Sequence, residues 1–238
     1  MILLMIHQNP FISAFIGVPE WAWKNNLRHW LATSPLVPHF IQDFSPIKGY
    51  ELFRQLQPGD VVVDAGAFPG DYALFAAKRV GPQGHVYCLE PEAHNREILE
   101  RNIQKSGYNN LSVIPKGLWD KTTTLQMDAH GLASQIQEEH PGDQSIEVMP
   151  LDQLVTDYNI PHIDVLKMDI EGAELEALAG AQHTLSTYKP YTCVASYHWV
   201  GDDNTSARVE SLLKQAGLEV HTDYPKHLTT YGCTQKQF

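Results

Sequence analysis

The run Val61-Val62-Val63-Asp64-Ala65-Gly66-Ala67-Phe68-Pro69-Gly70-Asp71-Tyr72 constrains the fold more than any other stretch of the chain. A continuous β-branched run, preceded by Gly59 and Asp60, suits a central strand covered on both faces, as in a parallel sheet. The strand ends in a carboxylate and passes through a turn holding Gly66 and Gly70 into a helix start. In open α/β sheets ligands sit at this carboxyl end, at the switch in strand order, and glycines there let a ligand approach the backbone closely.

The spacing narrows the ligand. A dinucleotide fold would place Gly-x-Gly-x-x-Gly here to bring amides against a pyrophosphate, whereas this turn reads Gly66-Ala67-Phe68-Pro69-Gly70 behind an acid. That disfavours a pyrophosphate and, with it, an NAD-dependent oxidoreductase. Glu90 closes the next expected strand, His85 to Glu90, where a carboxylate accepts hydrogen bonds from both hydroxyls of a ribose. A nucleoside with a positive centre and no phosphate suits both acids, and S-adenosylmethionine (SAM) is such a molecule. Singly, either acid reads equally as a solvated strand end or a helix cap; in this register with two glycines, they read as a cofactor pair.

The chain has 238 residues, 43% of them hydrophobic and 19% charged, enough for one sizeable core. A formal net charge of -11 argues against an extended nucleic-acid surface, since affinity for phosphate backbones comes largely from Lys and Arg. Cys88, Cys193 and Cys233 are far apart and odd in number, so they read as small buried hydrophobes, which points to a reducing, cytoplasmic setting. The apolar start, Met1 to Ile6, is interrupted by His7 to Pro10, too short to span a bilayer and without the basic segment of a signal peptide.

Two segments follow from composition. Residues 1–45 are rich in aromatics, with Trp21, Trp23 and Trp30 among several prolines. They read as an N-terminal extension packed on the body, or else as a substrate lid or a contact between subunits of a homo-oligomer. Residues 46–238 read as the ligand-binding domain. There the pattern predicts a short helix over Glu51 to Leu56, helices over Asp71 to Val80 and Glu92 to Ser106, and strand three over Leu111 to Ile114. Thr122 to Met127 and Ile146 to Met149 alternate like hairpin strands around a polar stretch with His130, Gly131, His140 and Pro141. A helix over Leu151 to Tyr158, a buried strand over Ile163 to Met168, a helix with Leu175, Leu178 and Leu185 inward, and a strand over Tyr191 to Tyr197 come next. A helix stopped by Gly217 precedes two adjacent strands, Leu218 to Thr222 and Leu228 to Cys233. The expected fold is α/β, a seven-stranded, mostly parallel sheet with one antiparallel member and helices on both faces.

Val63-Asp64-Ala65-Gly66-Ala67 with Gly70 and Tyr72, Leu89-Glu90-Pro91, Leu151-Asp152-Gln153-Leu154, and Leu166-Lys167-Met168-Asp169-Ile170-Glu171-Gly172-Ala173-Glu174 together resemble the FkbM family of SAM-dependent methyltransferases. The resemblance covers about residues 48 to 200, and its last element is the most distinctive. It implies a Rossmann-like class I methyltransferase that methylates hydroxyl oxygens of sugars, polyketides and related metabolites, so the expected acceptor is a small molecule or saccharide. It also implies that Asp64, Gly66, Ala67, Phe68, Gly70, Tyr72, Glu90, Pro91 and Asp169 line the cofactor, with Gly117 and Leu118 against the adenine. Two departures stand out. Phe68 occupies the place of the family's usual Asn, putting an aromatic wall where a polar contact would be. The tip of the fifth strand reads Ser196-Tyr197-His198 where an acid is frequent.

Methyl transfer from a sulfonium is an in-line displacement in which the protein mainly positions the acceptor and removes its proton. Asp169, Glu171 and His198 fall at strand ends around the expected mouth. His198 ranks first as proton acceptor because imidazole titrates near neutrality, with Asp169 and Glu171 as positioning groups. Clustered carboxylates would also suit a divalent cation that acidifies the acceptor. Glu174 reads as a helix-start carboxylate, and Lys167, inside an apolar strand, needs an acid such as Asp64 or Asp169. The competing reading is a SAM-binding assembly module without catalysis.

Overall fold

A computed structural model describes residues 46–127, 136–137, 144–200, 203–223 and 227–234. The aromatic head over 1–45, and His130, Gly131, His140 and Pro141, lie outside the described residues. The chain is first described in a one-turn helix, α1 (Pro46–Gly49), and then builds the central sheet. Its strands, in chain order, are β1 (Val61–Ala65), β2 (His85–Leu89), β3 (Leu111–Ile114), β8 (Val165–Met168), β9 (Tyr191–Ala195), β12 (Glu219–Asp223) and β13 (Thr229–Cys233). Their spatial order is β12-β13-β9-β8-β1-β2-β3, parallel throughout except for β13, which runs antiparallel to both neighbours. The order reverses between β1 and β8, the switch point that opens a crevice above the strand ends.

The largely apolar strands β1, β8 and β9 are buried at every position because helices cover both faces. On one face α2 (Asp71–Val80) and α3 (Ala93–Ser106) bring Phe75, Val80 and Leu99 against Val62, Val86 and Cys193. On the other, α4 (Leu151–Asp157), α5 (Glu174–Ala179), α6 (Gln182–Tyr188) and α7 (Ser206–Gln215) bring Leu154, Leu178, Leu185 and Leu213 against Val63, Leu166 and Val194. A small second sheet carries the excursion after β3. In it β4 (Gly117–Leu118) pairs with β7 (Gln144–Met149), β7 with β5 (Thr123–Met127), and β5 with β6 (Ile136–Gln137). A two-residue hairpin, β10 (Trp199–Val200) and β11 (Asp203–Asn204), follows β9.

Two elements depart from the sequence expectation. Residues 51–56 form no helix, because side chains take the backbone donors that a helix would use: the Leu56 N–H donates to Glu51 and the Gln57 N–H to Asp60, each at 2.8 Å. The single helix expected after Gly172 is two. It stops at Gly180, whose Cα lies so close to the Trp119 carbonyl that any Cβ would collide. The second half restarts at Gln182 because Asp152 of α4 accepts the N–H groups of His183 (3.1 Å) and Thr184 (2.7 Å), a cap supplied by another helix. The cysteines Cys88, Cys193 and Cys233 are buried and not joined in disulfides. Among the described residues no helix is long and apolar enough to cross a membrane.

Candidate active site

The parallel register sets Asp64 of β1 opposite Lys167 of β8, and their side chains form an ion pair at 2.9 Å with Asp64 0% exposed. Burial raises the Asp64 pKa, with Lys167 acting against it. Burial also opposes the Lys167 charge, but Asp64 and Asp169 outweigh it and the ammonium is held charged. Lys167 Nζ further donates to the carbonyls of Ala65 (3.3 Å) and Gly66 (2.8 Å), so this buried cation ties the glycine turn to the next strand. Gly66 itself has φ +74 and packs on the Asp169 carbonyl with no space for a side chain.

A cavity of ≈ 230 Å³ opens at these strand ends. Of the expected cofactor residues, Asp64, Gly66, Ala67, Phe68, Tyr72, Glu90, Pro91, Gly117, Leu118 and Asp169 all line it, as does Glu171. Gly70 does not. It sits at the start of α2 with φ 105, where a Cβ would come 3.0 Å from the Leu99 side chain, so its work is to turn the chain. Glu90 follows β2 and accepts the backbone N–H of Glu92 at 3.0 Å; burial, against its hydrogen bonds from the Phe68 and Glu92 backbone, pushes its pKa up to about 7.

Beyond β8 the chain turns through two left-handed residues, Glu171 (φ 57) and Gly172 (φ 102). Left-handed backbone at a glutamate is uncommon and strained, and it aims the carboxylate at His198. The imidazole stands among three acids: Nδ1 is 3.0 Å from Glu174, and Nε2 is 3.4 Å from Glu171 and 4.0 Å from Asp169. Burial alone would lower its pKa, but bonds to Glu171 and Glu174 and the Asp169 charge push it up to about 10. The three carboxylates therefore favour the protonated imidazolium of His198, which works against a role as proton acceptor. Glu174 is 0% exposed and accepts the N–H groups of Ile170 (3.1 Å) and Gly172 (3.4 Å), the helix-start role read from the sequence. Asp169, Glu171 and His198 can each aim one ligand atom at a common point, all within 4.8 Å of one another. A cation there would compete with the imidazolium proton, which offsets part of the cluster's negative charge.

Sequence reasoning missed six contributors. Tyr50 donates its hydroxyl to Asp169 Oδ2 (3.1 Å), and that hydroxyl lies 3.4 Å from His227 Nε2. The Tyr197 hydroxyl donates to the other Asp169 oxygen at 3.2 Å. Asn95, Ile146 and Val148 complete the cavity wall. The alternation of Ile146 and Val148 was a readable signal; Tyr50 and His227 stand far from the motifs in sequence and carried none.

A switch-point cavity on this sheet order, walled by a glycine turn and acids at neighbouring strand tips, defines a Rossmann-like ligand-binding fold. The Methyltransferase FkbM domain model matches residues 64–220, and the chain belongs to that family. Its fold resembles the crystal structure of Methyltransferase FkbM from Methylobacillus flagellatus, with a TM-score of 0.57 at 18% identity over 90% of this chain and 61% of that one. It is similar to the Hexuronic acid methyltransferase AglP of Haloferax volcanii, 26% identical over 142 residues, 57% of this chain and 56% of that protein. It is also similar to the 2-O-methyltransferase NoeI of Sinorhizobium fredii, 24% identical over 165 residues, 59% of this chain and 67% of that protein. Two Protein-L-isoaspartate O-methyltransferases, of Ignicoccus hospitalis and Methanothrix thermoacetophila, are 37% identical over 60 and 59 residues, and the chain spans 28% of their length.

Proposed function

We propose that the protein moves a methyl group from SAM to a hydroxyl oxygen of a small metabolite or saccharide. The observation that carries this reading is the joint placement of Asp64, Glu90 and Asp169 on the wall of one cavity at three adjacent strand tips. Glu90 suits the ribose hydroxyls, the acidic floor suits the ammonium and sulfonium charges, and Phe68, Leu118 and Val148 supply apolar surface for the adenine. Nothing in the lining other than Lys167 is cationic, and Lys167 is committed to Asp64, so a phosphate-bearing cofactor finds no free cationic side chain there. The hydroxyl acceptor rests on family membership and on the O-methyl and hexuronic acid activities named for two relatives. Tyr197 and Trp199, both exposed and flanking His198 in the chain, offer aromatic surface of the kind that sugars stack on.

Titration calorimetry with SAM and S-adenosylhomocysteine tests the cofactor half. Wild type binds both, and Glu90→Ala and Asp64→Ala each lose at least about tenfold in affinity, the equivalent of one hydrogen bond to a charged group. Failure of the wild type to bind either compound would remove the reading. The acceptor half is tested by methyl transfer from labelled SAM to a panel of methyl glycosides, glucuronic acid and simple polyols.

A further inference from the structure

His198 ranks first as proton acceptor on sequence grounds, yet it lies locked among three carboxylates. A second histidine reaches the same end of the sheet from the opposite direction. Because β13 is antiparallel, its first residue Thr229 lies beside Ala195 at the carboxyl end of β9, which brings His227 over the mouth. There the His227 ring packs edge-on against Tyr50 (centroids 5.6 Å apart) and Tyr197 (5.1 Å), with Nε2 3.4 Å from the Tyr50 hydroxyl. Tyr50 is 6% exposed and walls the cavity together with Asp169, whereas His227 stands outside the cavity and is partly exposed.

We propose that the acceptor's hydroxyl proton leaves the site through the Tyr50 hydroxyl and is received by His227 Nε2. The proposal rests on the O-methyl transfer reading above. In the step, the Tyr50 O–H turns from Asp169 Oδ2 to His227 Nε2, the acceptor O–H bond breaks and its proton passes to the Tyr50 oxygen while the phenolic proton passes to Nε2. The freed oxygen pair forms the O–CH3 bond, the C–S bond breaks, and its electrons stay on sulfur, which loses its positive charge. His227 then releases the proton to water, so reactants and products balance without another partner.

Several features support this division of work. Among the described residues the charged and titratable groups facing His227 are Tyr50 from the first segment, Asp169 and Lys167 from β8 and its end, and Tyr197 and His198 beyond β9. Burial lowers the His227 pKa; Asp169 opposes that, and the Lys167 and His198 cations add to it, so the ring is neutral where His198 is charged. Two groups of one type with pKa values driven apart are the usual mark of an acid and base assignment. Burial and Asp169 keep Tyr50 a phenol, fitting a conduit and not a phenolate base.

The test is methyl transfer to the acceptor panel as a function of pH. Wild-type kcat should rise with pH through a break below the ordinary histidine value of about 6.5 and then level. His227→Ala should bind S-adenosylhomocysteine as wild type does, lose turnover about a hundredfold or more, and lose that rising limb. Imidazole in the buffer should restore turnover to His227→Ala but not to His227→Ala/Tyr50→Phe, a difference that a packing role would not produce. His227→Gln keeps the ring's volume and stands in should the alanine variant misfold. Wild-type turnover with an unchanged pH limb in either variant, or equal rescue with and without the Tyr50 hydroxyl, would overturn the proposal. A wild type that binds cofactor but methylates nothing in the panel counts against the hydroxyl-acceptor reading and takes this proposal with it.

Discussion

Glu90 and His198 are both displaced from their ordinary titration ranges, and each displacement has a measurable sign. Burial raises the Glu90 pKa to about 7, so the carboxylate that suits the ribose is largely protonated at pH 6 and ionised at pH 8. If the ionised form binds, affinity for S-adenosylhomocysteine should rise about tenfold across that interval, one pKa unit being a factor of ten. Calorimetry at the two pH values should show it, and Glu90→Gln should bind weakly with no pH dependence. For His198 the folded pKa of about 10 stands above the unfolded value of about 6.5. Its contribution to stability is therefore complete below about pH 6.5 and disappears as pH rises through about 10. Discounted for solvent screening, the carboxylate cage contributes about 1 kcal/mol, a midpoint shift of about 2–4 °C in a chain of this size. In thermal melts His198→Gln should fall below wild type by that margin at pH 6.5 to 7, and the two curves should converge towards pH 10.

At the scale of elements, β1 and β8 are joined by hydrogen bonds and by the Asp64–Lys167 pair across them. Lys167→Met leaves a fully buried carboxylate without its counter-charge and should cost about 3–5 kcal/mol in urea denaturation. Asp64→Asn added to it should recover much of that loss, because the uncompensated charge is gone; no recovery would mean that Lys167 acts mainly through the Ala65 and Gly66 carbonyls. Such elements were legible because their determinants are local. The β-branched run at 61–63, Gly107 in its left-handed stop after α3, and the Asp-x-Glu-Gly turn can be read within a few residues. The missed features have partners far along the chain. The break at Gly180 depends on the Trp119 carbonyl and on a cap from Asp152. The residues expected at the cofactor lay on or beside strand tips that periodicity fixes, so nearly all of them meet in one cavity. The surroundings of His198 needed Glu171 in a left-handed conformation that its neighbours in sequence do not announce.

Across the whole molecule, the first described segment is fastened to the last strand, and this closure shapes the cavity. Ile47 and Tyr50 wall the cavity from one side. They are held there because the Tyr231 hydroxyl donates to the Gly49 carbonyl at 2.6 Å, while Phe53 packs edge-on against Tyr231 (5.0 Å) and His221 (5.1 Å). Site and fold stability therefore depend on a contact between the two sequence extremes of the described domain. Tyr231→Phe keeps the packing and removes only the hydrogen bond, so global stability should fall by about 1 kcal/mol. Its larger effect should be local. The Tyr50 and Leu52 amides, bonded to Ile47 and Gly49 at 3.2 and 3.3 Å, should exchange with deuterium faster than in wild type, while those of β1 keep their protection. Affinity for S-adenosylhomocysteine should drop with them, because part of the cofactor's binding energy would go into ordering the strap. Equal acceleration in the strap and in β1 would show the segment opening only with the whole domain, and the cavity wall would then be as rigid as the sheet.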